Sequence, residues 1–134
     1  VNSVEFKPLF GAKAAEELRA TIKVIKSQQS TASVSEIRSL VVATMDTYFS
    51  IDKWDFGATF YFSELAAYLH KEIGDVVSSV VLVPLDPQKS FADLYEIRSA
   101  PNEIFVNAAG VTDIEVIEAL TSTNLRTAPG SGVI

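Results

Sequence analysis

Trp54-Asp55-Phe56-Gly57-Ala58-Thr59-Phe60-Tyr61-Phe62 opens the passage that decides the fold class, because the hydrophobic period changes twice between it and Pro84. The aromatic residues favour extended structure. Ser63 can then N-cap a helix that buries Leu65, Tyr68, Leu69 and Ile73 and stops at Gly74. Val76–Val83 follows as a buried strand, ended by Pro84 and an Asp86-Pro87 turn. Strand, helix, strand in that order is the pattern of a crossover unit.

Upstream, Ser33-Val34-Ser35-Glu36 is a capping box, in which the Ser33 hydroxyl accepts from the Glu36 N–H and the Glu36 carboxylate from the Ser33 N–H. Ile37, Leu40, Val41, Met45 and Tyr48 then form one helical stripe running to about Phe49, before Ser50-Ile51-Asp52-Lys53 turns the chain. An earlier helix is expected where Leu18, Ile22 and Ile25 fall at i, i+4 and i+7, with charges at Glu16, Glu17, Arg19, Lys23 and Lys26 on its other faces. Val4–Phe10 alternates apolar and charged residues until Pro8, which suits a short edge strand.

Downstream, the pattern suggests an antiparallel meander. Asp93–Arg98 is one strand, Pro101-Asn102 a turn, Glu103–Val106 the next strand and Asn107–Gly110 a second turn. Asp113–Glu118 supports two readings. Thr112 with Glu115 suits a helix cap, but the alternation of Ile114 and Val116 with Asp113 and Glu115 favours a strand. The expected fold is therefore α+β, with helices on one face of a mainly antiparallel sheet that contains one strand-helix-strand crossover. Residues 1–120 form the expected domain, and 121–134, rich in Ser, Thr, Pro and Gly, the expected flexible tail.

The length of 134 residues suits one core, and 48% hydrophobic residues are enough to fill it. The net charge of −6 argues against binding to a nucleic-acid backbone, and equally against docking on an anionic membrane surface. No window approaches the ~18 apolar residues of a membrane span. Cysteine is absent, which removes thiol nucleophiles, disulfides and thiolate metal sites. The start at Val1-Asn2-Ser3 suggests a piece of a longer polypeptide.

Chemistry-bearing motifs are few. His70 is the only histidine and is read as a boundary residue rather than a base or ligand, so no zinc site is expected. The chain lacks a D-x-[DN]-x-[DN]-G loop, a Walker-type loop and G-x-G-x-x-G, and Gly130-Ser131-Gly132 follows no strand. No metal, no cofactor and no enzymatic activity are expected. Most of the aromatic residues lie between Tyr48 and Tyr68, where Lys53 is the only basic residue against Asp52, Asp55 and Glu64. That balance favours core or interface packing over a base-stacking platform. If Tyr95, Ile97, Ile104, Val106, Ile114 and Val116 face the helices, the opposite face is mostly charged but carries Leu94, Phe105 and Ile117. These three are either isolated exposed residues or an interface patch.

The succession Ser33–Phe49, Trp54-Asp55-Phe56-Gly57, Phe60-Tyr61-Phe62-Ser63-Glu64-Leu65, Val76–Pro84 and Asn102-Glu103-Ile104 resembles the C-terminal region of the baseplate wedge proteins of T-even-type contractile-tailed phages, relatives of the baseplate J family. The order of elements, from Val4 to about Leu125, carries the likeness. The resemblance implies a structural role without an active site, in the tail baseplate of the virion, with assembly in the host cytoplasm. Wedge subunits of that family pair, join into a ring around the hub and contact other wedge proteins. The expected partners are a second copy, as a homodimer or a ring-forming homo-oligomer, and other wedge proteins, with no nucleic acid and no membrane. At net −6, pairing must come from apolar burial. Leu94, Phe105 and Ile117 are the candidate contacts, with Trp54 as an alternative anchor. The rival expectation is a small-molecule-binding or enzymatic α+β domain with a pocket near Trp54 and His70.

Overall fold

A computed structural model describes residues 5–50, 54–86, 88 and 91–118. The expected tail at 121–134 and the turn residues Ile51–Lys53 and Pro87 lie outside the described residues. In chain order the elements are β1 (Glu5–Leu9), a 3-10 turn (Glu16–Leu18), β2 (Ala20–Lys26), α1 (Val34–Tyr48), β3 (Thr59–Tyr61), α2 (Phe62–Ile73) and β4 (Val77–Pro84). There follow α3 (Phe91–Tyr95), β5 (Glu96–Arg98), β6 (Glu103–Asn107), a second 3-10 turn (Val111–Asp113) and β7 (Ile114–Ile117). The fold is α+β.

The central sheet has the order β4-β2-β7, with β4 antiparallel and β7 parallel to β2. On one face, Ala20, Ile22 and Val24 of β2, Leu82 of β4 and Ile114 of β7 meet Ile37, Val41 and Met45 of α1 and Leu65, Leu69 and Ile73 of α2. The two helices pack side by side, α1 over β7 and α2 over β4. On the opposite face Thr21, Lys23 and Ile25 are 7%, 1% and 9% exposed. The Lys23 ammonium lies 3.5 Å from a carboxylate oxygen of its register partner Glu115. A charge on a buried strand is tolerable only when an opposite charge stands beside it.

β2 corrects the sequence reading, which has a helix through Leu18, Ile22 and Ile25. A central strand covered on both faces shows a continuous apolar run instead of alternation, and such a run can match helical spacing by coincidence. Four of its seven residues, Thr21, Ile22, Val24 and Ile25, are β-branched, which favours the strand.

α1 starts as its sequence dictates. The Glu36 N–H donates to Ser33 Oγ at 3.2 Å, and the Ser33 N–H to Glu36 Oε1 at 3.2 Å. Its buried stripe holds Thr44 in place of the expected Leu40. Leu40 is 36% exposed, and the Thr44 hydroxyl is satisfied by the Leu40 carbonyl at 2.7 Å. Ser33→Ala leaves a helix N–H without its side-chain acceptor and is expected to cost about 1 kcal/mol, measured as a lower urea midpoint. An unchanged midpoint would mean that the box contributes nothing.

α2 lacks the expected Ser63 cap. Its N-cap residue is Tyr61, with no side-chain cap bond, because the helix follows directly on β3 and turns Phe62 into the core. Glu64 in the first turn interacts favourably with the positive end of the helix.

Two further expectations change. β3 and β4 flank α2 but belong to different sheets, β3 pairing antiparallel with β5, so the expected crossover through α2 does not form. The meander is also replaced: β6 pairs in parallel with β1, and β7 in parallel with β2. Asn107 separates them. Its amide donates to Asp46 of α1 at 2.6 Å while its carbonyl oxygen accepts the Ala109 N–H at 3.0 Å, so the chain leaves β6 on a side-chain turn tied to α1. The expected strand at Asp113–Glu118 does form, as Ile114–Ile117. The expected strand at Asp93–Arg98 is divided, a short helix through Tyr95 giving way to Glu96–Arg98.

Candidate functional site

Tyr48, Phe49, Trp54, Phe60 and Tyr68 build one continuous aromatic cluster at the end of α1, while Phe56 and Tyr61 of the same stretch are exposed. Phe49 packs on Phe60 (ring centroids 5.5 Å apart), and Phe60 on Phe10 (5.6 Å) and Phe105 (6.3 Å). Trp54 stacks on Phe49 at 5.6 Å, meets the edge of Phe105 at 5.4 Å and that of Tyr48 at 5.6 Å. Its indole N–H donates to the Tyr48 carbonyl at 2.7 Å, so the ring is held by a polar bond as well as by contact.

The return from Trp54 to β3 needs Gly57, whose φ of +73° is a left-handed conformation. Its N–H donates to the Glu103 carbonyl at 3.0 Å. The Ser99 hydroxyl holds the Ala58 carbonyl at 2.7 Å. These two bonds fix the loop above β6 and β5.

Between this loop and α2 lies a cavity of about 380 Å³ lined by Tyr48, Trp54, Asp55, Ala58, Thr59, Glu64 and Tyr68. Tyr48 and Tyr68 stand 5.2 Å apart, ring to ring. Burial, and secondarily the negative charge of Glu64, push the Tyr48 hydroxyl up to about 12. The hydroxyl therefore stays un-ionised near neutral pH. Among the described residues its lining is three aromatic side chains, Ala58, Thr59 and the carboxylates of Asp55 and Glu64.

His70 does not line it. It is exposed on α2, and two residues from Tyr68 a helical side chain points to nearly the opposite side. The expected pocket near Trp54 and His70 thus exists at Trp54 alone. Among the described residues, no group of three or more His, Asp or Glu side chains is placed to hold a metal ion.

The expected interface residues require correction. Leu94 and Phe105 are 0% exposed and Ile117 is 5% exposed, so none offers a contact surface. For Leu94 the turn of α3 reverses the assumed phase, placing it in the core and leaving Tyr95 outside, 41% exposed. Phe105 points to the core because the chain enters β6 with the opposite phase, so Ile104 and Val106 lie on the other side. Ile117 does face away from the helices, but beside Ile25 on a covered face. Trp54 is half-buried and forms a wall of the cavity.

A different surface has the character sought. The register Phe6↔Ile104 and Pro8↔Val106 places these four side chains on the outer face of the β1–β6 pair, opposite Leu9 and Phe105. Phe6 is 56% exposed and Ile104 only 2%, with Pro8 and Val106 between. The alternation in Glu5-Phe6-Lys7-Pro8-Leu9 signals this face, but only pairing with β6 doubles it.

No protein-family model matches the chain, and a search of curated proteins gives no match. No helix among the described residues is long and apolar enough to cross a membrane.

Proposed function

We propose that this chain is an assembly module, a structural component of a phage tail baseplate wedge that works by protein–protein contact and has no catalytic role. The sequence resemblance supports the wedge assignment and the place in the virion. The observation that carries the contact reading is the outer face of β1–β6, where the exposed Phe6 stands with the partly buried Pro8 and Val106 around the buried Ile104, none of the four charged. A second copy is the occupant that fits it. On a chain of net charge −6, two copies repel at long range, and a two-fold contact brings each surface against itself. A charged patch would oppose its own image, whereas an apolar one buries it. Pro8 has no N–H and cannot extend the sheet, so the contact is face to face rather than edge to edge.

Sedimentation equilibrium tests this reading on the parent and on Phe6→Glu. The parent is expected to dimerise, more tightly as salt screens the repulsion, and Phe6→Glu to remain monomeric with the parent's urea midpoint. A parent that is monomeric at about 100 μM, well above the dissociation constant of a specific dimer, would overturn it. So would a dimer that tolerates Phe6→Glu.

A further inference from the structure

We draw no further inference here: the strongest candidate, the open groove beside α1 lined by Ala32, Ser35, Glu36, Ser39, Leu40 and Val76, supports no choice of occupant, since nothing in the structure shows what covers it.

Discussion

Phe105→Ala is expected to lower the free energy of unfolding by about 3–5 kcal/mol. Phe105 is fully buried, and its ring meets Trp54 at 5.4 Å and Phe60 at 6.3 Å. Truncation removes both edge contacts and leaves a space between rings that cannot close, since Trp54 is tied to the Tyr48 carbonyl and Phe60 is pinned in β3. The loss is a large share of the 5–15 kcal/mol that stabilises an ordinary domain. Urea unfolding followed by circular dichroism measures it, and the emission of native Trp54 should shift at the same time. A cost below about 1 kcal/mol, the value for a surface site, would return Phe105 to the outer face that the sequence pattern suggests. The contrast with Phe6 is the informative part: Phe105→Ala should damage the fold, and Phe6→Glu the association alone.

Gly11→Ala should be the second severe substitution, at about 3 kcal/mol or more, the upper end for overpacking. A Cβ at Gly11 would stand 1.6 Å from the Ala108 carbonyl oxygen and 2.3 Å from its carbon. Both are backbone atoms, so no side chain can step aside. The approach is enforced two residues before Gly11, where the N–H of Ala108 itself donates to the Leu9 carbonyl at 3.0 Å and so ties the end of β1 to the end of β6. Phe10, between Leu9 and Gly11, adopts φ of +77°, which costs a non-glycine residue about 1–2 kcal/mol. The strain is held in place by its N–H to the Leu18 carbonyl at 3.0 Å and by its ring against Phe49 and Phe60. The chain here has no slack with which to accommodate a methyl group. Gly110→Ala supplies the control, since nothing lies within 4 Å of a Cβ there and its φ of −110° suits any residue. It should stay within about 0.5 kcal/mol of the parent. Similar urea midpoints for the two variants would refute the close approach at Gly11.

The local elements were legible wherever their determinants lie within a few residues. The Ser33–Glu36 box and the Ile37, Val41, Met45 stripe specify α1 because capping and helical periodicity are short-range properties. The apolar run between Gly74 and Pro84 marks β4, and the alternation at 114–117 marks β7. With α2, these suffice for the α+β class and for a core rather than a nucleic-acid surface at the aromatic cluster. The cavity was half legible: the concentration of Trp54, Asp55, Glu64, Tyr48 and Tyr68 in one stretch is visible, but their convergence on one opening depends on the Gly57 turn.

Tertiary structure decided the rest. β2 became a strand because β4 and β7 pair with both its edges while both its faces are buried, a circumstance that its own residues express only as a helix-like spacing. β6 joined β1, and β7 joined β2, across most of the chain, where no turn motif specifies the partner. That pairing set which side of each strand meets the core, and so buried Phe105 and exposed Phe6. Strand alternation separates two faces but does not label them; the label comes from the packing partner, and a shift of one residue exchanges the two.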